Sequence, residues 1–273
     1  MQSQGKFILM SLPEFEGYID DMGISDLREI NHVQTHHTWS PSYRNFNGSN
    51  HFAKMTSMEA DHIARGFGQI AQHFTTFPDG TICTGRPLSL IPTCIHGHNT
   101  GGICIENLGN FDKNQDTMTN SQRQTIVRIN ALLCHKFVLP INTTTLVYHH
   151  WFRQSDGFRD NGENDPGYLD HKTCPGTAFF GGNTVDDATV NFLPLAQQAY
   201  DNYRNNGITA DPVIRTGLVN ADLLNVRSGP GTDFAPIDQL KRNETVTILE
   251  SNSEWDRIGD DRWVFSDYIA INS

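Results

Sequence analysis

The spacing of apolar residues changes several times along the first two thirds of the chain, and each change marks a new element. Within residues 26–39, Ile30-Asn31-His32-Val33-Gln34-Thr35 predicts a buried strand that runs into His36-His37. Ser57 to Phe67 carries a helical pattern, and Gln69 to Phe77 reads as a strand. Asp79-Gly80 then supplies the residues that a tight hairpin turn needs, and Thr81-Ile82-Cys83-Thr84 is the returning strand. Gly102 to Asn107 is a further short strand. Thr119 followed by Gln122 has the form of a capping box, and Ile126, Ile129, Leu133 and Phe137 fall on one helical face after it. That helix is expected to end across Leu139–Asn142 and to lead into a strand, Leu146-Val147-Tyr148-His149-His150. A last helix is predicted from about Phe192 to Tyr203, with Leu195, Ala196, Ala199 and Tyr203 inward. Strands alternating with helices imply an α/β layer fold, and the Asp79-Gly80 hairpin makes its sheet mixed.

The pattern then changes character. Asn205-Asn206-Gly207-Ile208-Thr209-Ala210-Asp211-Pro212 is polar and rich in turn residues. Beyond Gly217 only short strands are predicted: 217–220, 223–227, 245–250, 255–258 and 263–268. The expected organisation is an α/β domain over 1–205, a linker over 206–217 and a small all-β barrel over 218–273, near the lower size for independent folding.

Composition narrows the function. The chain has 273 residues and a formal net charge of −11, with no basic stripe to neutralise phosphates, so neither a nucleic-acid partner nor an anionic membrane is expected. No apolar run reaches the length of a membrane span. The first ten residues hold one short apolar patch, soon followed by Pro13 and acidic residues, which is not the pattern of a signal peptide. Five irregularly spaced cysteines argue against a disulfide framework and fit synthesis in a reducing compartment.

Candidate chemistry lies in three pieces far apart in sequence: His36-His37-Thr38, His149-His150 and His171-Lys172-Thr173-Cys174-Pro175-Gly176. Together they offer two imidazoles and a thiolate, the set that leaves a tetrahedral zinc ion one open position. Adjacent residues of a strand point to opposite faces, so one His of each pair serves a given site, and periodicity does not choose between them. Lys172 is a candidate to stabilise an oxyanion. Glu106, at the end of an apolar strand, is a candidate general base. His73 reads as a satisfied core histidine. His96 and His98, in a Gly-rich loop, are candidates to line a substrate groove.

The His36-His37-Thr38 strand end, Gln72-His73-Phe74 with Asp79-Gly80, Gly102-Ile103-Cys104-Ile105-Glu106, and Lys172-Thr173-Cys174-Pro175-Gly176 occur in this order. In that order they resemble the zinc-dependent N-acetylmuramoyl-L-alanine amidases of the amidase-2 and peptidoglycan-recognition superfamily, over about residues 25–205. The resemblance implies a mixed sheet flanked by helices, a zinc ion held by His36, His150 and Cys174, Glu106 as general base and Lys172 as oxyanion stabiliser. It implies hydrolysis of the amide between N-acetylmuramic acid and L-alanine. Some members carry a catalytic Tyr where this chain has Gln72, which shifts weight onto Glu106 and leaves Gln72, with His96, as substrate-binding candidates. Non-catalytic relatives typically lose the thiolate ligand, and Cys174 is present; the alternatives are a peptidoglycan-binding protein without activity and a zinc peptidase acting within the stem peptide.

Leu223-Leu224-Asn225-Val226-Arg227-Ser228-Gly229-Pro230-Gly231, continued by Trp255, Trp263-Val264 and Tyr268, resembles bacterial SH3-like cell-wall domains over about residues 218–273. The resemblance implies binding of bacterial peptidoglycan. The segment holds ten acids against five bases, so recognition there would rest on shape and hydrogen bonds. A lytic domain, a wall-binding tail and no export signal together suggest a phage or prophage endolysin, made in the cytoplasm and released through holin-type lesions.

Overall fold

The computed structural model describes residues 1–273 apart from 25–26, 163–164, 166–167, 207–214, 249, 253, 260 and 272–273. The chain divides into two compact units, Met1–Ile208 and Thr209–Ser273. Most of the expected linker over 206–217 therefore lies outside the described residues.

The first unit is built on a seven-stranded mixed sheet in the order β1-β2-β5-β4-β6-β3-β7. Its strands are β1 (Gln2–Gln4), β2 (Phe7–Met10), β3 (His32–His37), β4 (Phe74–Thr76), β5 (Ile82–Thr84), β6 (Gly102–Asn107) and β7 (Leu146–Tyr148). Strands β4, β6, β3 and β7 run parallel, while β1, β2 and β5 add antiparallel partners on one side. The parallel strands are buried on both faces; β6 and β7 accordingly read as short apolar runs, whereas β3 is equally buried but mostly polar, because it carries the histidines of the site. On one face α1 (Leu12–Asp20), α3 (Asn120–Lys136) and α5 (Leu193–Asn206) pack around Phe15, Ile19, Phe74, Ile126, Ile129 and Leu133. On the other, α2 (His51–Ala64) packs Met55 and Met58 with Phe77, Cys83 and Leu108. A short α4 (Val185–Asp187) and a π-turn over Ala188–Phe192 lead into α5.

Several boundaries differ from the pattern-based expectation. Helix α2 begins at His51, six residues earlier than expected, and α3 ends at Lys136. Thr119 caps α3, accepting a hydrogen bond from the Gln122 N–H at 3.1 Å, but the expected box does not close: the Gln122 side chain donates to Thr76 and Leu108, and the Thr119 N–H to the Tyr43 hydroxyl. Val138, left-handed at φ 56°, follows the end of α3. The expected strand over 69–77 shrinks to three residues, because only Phe74–Thr76 find partners in both β5 and β6. Strand β1 and helix α1 leave no clear apolar period, and β2, although wholly apolar, is a four-residue run too short to identify as a strand by itself. Pro13 sits in the first turn of α1, where an N–H has no helical partner to lose. A disulfide joins Cys94 to Cys104, against the expectation from cysteine spacing; it ties the loop over 85–101 to β6. The two cysteines lie only ten positions apart, but nothing in their spacing marks them as partners.

The second unit holds a five-stranded sheet, β10-β9-β14-β13-β12, and a three-stranded sheet, β11-β8-β15. The strands are β8 (Arg215–Val219), β9 (Leu223–Arg227), β10 (Pro236–Lys241), β11 (Thr245–Ile248), β12 (Glu250–Asn252), β13 (Trp255–Gly259), β14 (Arg262–Phe265) and β15 (Ile269–Ile271). Val219, Leu224, Val226, Val246, Ile248, Val264 and Ile269 form its core. Strand β10 escaped prediction because nearly all of its side chains are exposed, leaving no alternation to read. Trp255 is buried and packs on Phe265, whereas Tyr268 is exposed. Among the described residues no helix is long and apolar enough to cross a membrane.

Candidate metal centre

The chemistry collects where the parallel strands end. In the β3–β6 register His36 stands beside Glu106 and His37 beside Asn107, so one rung delivers a histidine and a carboxylate together. Asn107 holds this rung: its Nδ2 donates to the His36 carbonyl at 2.7 Å, and its Oδ1 accepts from Thr76 Oγ1 at 2.7 Å. His37 faces away, its Nδ1 accepting from the Phe111 N–H at 3.1 Å.

Strand β7 stops at Tyr148, and the chain tightens into a 3₁₀ turn over His149–Trp151. Strand alternation therefore does not govern the second His pair. His149 turns to His36, with their Nδ1 atoms 3.1 Å apart. Cys174 Sγ lies 3.4 Å from His36 Nδ1, and the ligand atoms of His36, His149 and Cys174 all fall within 4.8 Å of one another. The structure thus brings His149, not His150, to the donor cluster, and the placement expected for His150 is corrected. His150 is built into the support of the site instead. Its N–H donates to the Cys174 carbonyl and its Nδ1–H to the Lys172 carbonyl, both at 2.8 Å.

The segment bearing Lys172 and Cys174 is anchored from the opposite side by Asp112, whose Oδ2 accepts from Thr173 Oγ1 at 3.1 Å and Oδ1 from the Thr177 N–H at 3.0 Å. Nothing in the sequence flagged Asp112, since its partners lie more than sixty positions away. His171 is outside the cluster and sits between Asp160 and Asp165, at 2.7 and 3.0 Å. Burial lowers its proton affinity, but its bonds to these two carboxylates outweigh that and the net shift is upward.

A cleft of about 760 Å³ opens over the cluster, lined by His36, His149, Cys174, Glu106, Lys172 and Gln72 among others. Gln72 is fully buried, its Nε2 donating to Thr75 Oγ1 at 2.9 Å and its Oε1 without a partner among the described residues. His96 is not among the residues lining this cleft; its ring bonds the Gln154 carbonyl at 3.1 Å. His98 stacks on Phe152, also outside the lining. His73 is a core residue, accepting from the Cys104 N–H at 2.9 Å and bonding the Leu90 carbonyl at 3.0 Å.

The electrostatics suit a cation. Burial, with the nearby Lys172 charge and His37, lowers His36 to about 3, and burial with His36 and Lys172 takes His149 well below its ordinary value. Both rings are neutral at physiological pH and keep lone pairs for a metal. Burial and the Glu106 charge push the Cys174 thiol far up, against the opposing pull of the His37 N–H and Lys172. A divalent cation would reverse that and hold the sulfur as thiolate. Two imidazoles and one thiolate are a donor set for zinc. Burial raises Glu106 to about 8 while Lys172 pulls it back, and its buried Oε2 has no hydrogen-bond partner among the described residues. A carboxyl group of this kind exchanges a proton near neutral pH.

Residues 26–177 match the family N-acetylmuramoyl-L-alanine amidase, and residues 222–270 match the bacterial SH3 domain. No curated protein sequence matches the chain. Among solved structures, the chain is similar to the endolysin N-acetylmuramoyl-L-alanine amidase LysCS from Clostridium intestinale URNW, at 25% identity over 46% of this chain and 72% of that one, with a TM-score of 0.36. The amidase LysC from the same organism is 22% identical over 62% of this chain and 89% of its own, with a TM-score of 0.39. Drosophila PGRP-LB is 19% identical over 60% of this chain and 81% of its own, with a TM-score of 0.44.

Proposed function

Because the chain belongs to the N-acetylmuramoyl-L-alanine amidase family and ends in a bacterial SH3 domain, we propose that it hydrolyses the amide between the lactyl group of N-acetylmuramic acid and the L-alanine of the stem peptide. The observation that carries this reading is the convergence of His36, His149 and Cys174 in a cleft that also holds Glu106 and Lys172. His36, His149 and Cys174 would hold a zinc ion, which supplies a Lewis acid at the scissile carbonyl.

The protein's own groups account for the proton and charge transfers. Glu106, ionised, takes a proton from the attacking water as the water oxygen adds to the amide carbon. Lys172 stabilises the negative charge that develops on the carbonyl oxygen. Glu106 then delivers that proton to the alanine nitrogen as the C–N bond breaks, leaving a free amine and a lactyl carboxylic acid, which gives up the water's second proton to solvent to become the carboxylate. The burial that raises its proton affinity also suits it to this return step. The Asn107, His150 and Asp112 hydrogen bonds hold the participating side chains in place. The SH3 domain would keep the catalytic unit at the wall, raising the local substrate concentration without adding a contact to the cleft.

Digestion of purified peptidoglycan with the full chain, followed by mass spectrometry, tests the reading. Stem peptides with a free L-alanine amine and glycan ending in intact lactyl carboxylates are expected. A cut between two stem residues would identify a peptidase, and no cleavage with retained wall binding would identify a binding protein.

A further inference from the structure

Among the described residues, the exposed large apolar side chains include a single one that lines the cleft: Trp39, with 60% of its surface accessible. By contrast, Trp151 is fully buried and Trp255 is buried. Among the described residues the Trp39 indole has neither a ring partner nor a hydrogen-bond partner. Leaving an indole bare in water forfeits a large apolar contact, so its position calls for an occupant.

The backbone sharpens the point. Trp39 has φ 55°, a left-handed conformation that a bulky residue adopts at a cost. The surroundings enforce it. The Trp39 N–H donates to the Gly109 carbonyl at 3.0 Å, the Thr38 N–H to the Asn107 carbonyl at 3.0 Å, and Thr38 Oγ1 to the Pro41 carbonyl at 2.6 Å. The Trp39 backbone is thus held by the extension of the β3–β6 pair that also carries His36 and Glu106. Three residues of extended chain from His36 reach no more than about 10 Å, so it stands next to the reacting centre.

The cleft lining from the segment around Trp39 is uncharged, with Thr38, Ser40, Pro41 and Asn45, whereas the lining from α2 and its C-cap includes Lys54, Asp61 and Arg65. A glycan offers a neutral, hydroxyl-rich ring with an apolar C–H face, and a stem peptide offers charged carboxylates. We propose that Trp39 is the stacking platform for the sugar ring adjoining the scissile amide, and so sets the dependence of cleavage on the glycan. This rests on the amidase reading above.

The test uses the full, metal-loaded chain and the variants Trp39→Asn and Trp39→Phe. Asn removes the ring while tolerating the left-handed backbone, and Phe keeps an aromatic face. Two substrates carry the same stem peptide, one a disaccharide-peptide and the other an N-lactyl-peptide without the sugar ring. Trp39→Asn should lower kcat/KM on the disaccharide-peptide about tenfold or more while leaving the N-lactyl-peptide within about twofold, with Trp39→Phe in between. Equal losses on both substrates, or no loss on either, would overturn the proposal. Binding of peptide-free GlcNAc–MurNAc oligosaccharide, followed by tryptophan fluorescence, gives a readout independent of turnover. A signal in the parent chain that vanishes in Trp39→Phe supports the platform, and a signal unchanged in that variant sinks it. If the parent chain cleaves neither substrate, the amidase reading fails, and the fluorescence titration alone decides the role of Trp39.

Discussion

Replacing His150 with Ala separates a ligand from the scaffold that holds it. In the structure His150 contributes two hydrogen bonds to the segment bearing Cys174, and only the one from its side chain, to the Lys172 carbonyl, is lost in His150→Ala. The Lys172 carbonyl is only part-buried and can turn to water, so losing this bond costs about 0.5–1.5 kcal/mol. If that cost falls on the conformation in which Cys174 faces His36, metal affinity drops by roughly 2- to 12-fold, at 1.4 kcal/mol per decade. Loss of an outer partner of a metal site typically weakens it by about 10- to 100-fold, and the two estimates meet near tenfold. His149→Ala removes a donor atom from the cluster itself and should leave no tight site. Competition for zinc against a chromophoric chelator, on folded protein checked by circular dichroism, measures both. The expected order is parent, then His150→Ala, then His149→Ala far weaker. A His150→Ala variant that loses all metal while His149→Ala keeps it would refute the assignment of the turn after β7.

Glu106→Gln should keep fold and metal but lose about 10²- to 10⁴-fold in rate, measured on a soluble muropeptide. In the metal-free chain Glu106 binds its proton more tightly folded than unfolded, so its contribution to stability falls as pH rises from 4.5 through about 8; the melting temperature of Glu106→Gln should therefore exceed that of the parent increasingly over this interval, and a constant difference would contradict the burial argument. Replacing Cys94 and Cys104 together by Ser should cost about 2–3 kcal/mol in denaturant unfolding, from the ten-residue separation of the bridge. Thiol titration of the unreduced, unfolded chain should find Cys83, Cys134 and Cys174 only, and five reactive thiols would show the bridge absent. Residues 1–208 alone should cleave soluble muropeptides at the parent rate but sediment poorly with intact walls; equal sedimentation with and without the second unit would remove wall binding from its role.

Much of the first unit was legible where burial writes itself into sequence as an apolar run, as in β6 and β7, while β3 was legible from the histidines it carries. Strand β6 was predicted with the bounds it has, and the α3 cap was read from Thr119 and Gln122. The His149–His150 choice was not legible, for a specific reason. Period-two reasoning applies only while a strand continues, and β7 ends one residue before the pair. The weight of the motif then fell on the wrong neighbour. Asp112 was invisible because it depends on loops meeting in space, and the Cys94–Cys104 bridge because it joins a loop to a buried strand. Strand β10 shows the converse: a strand whose side chains face water leaves no periodic trace.

His36, Glu106 and His149 all stand at or just past the carboxyl ends of parallel strands, the edge at which open α/β sheets bind ligands. The interior of the sheet is constrained by packing on both faces, whereas these terminal positions are constrained only by what they do. Such a division lets chemistry drift while architecture stays fixed. On the reading proposed above, exchange of one donor at a strand end would alter metal preference or abolish turnover without repacking the sheet's interior. An insertion of one residue within β3 or β6, by contrast, would shift that strand by one pleat and send His36 and Glu106 to opposite faces. In a lineage of such proteins, substitutions should therefore gather at this edge, and insertions should be confined to the loops beyond it.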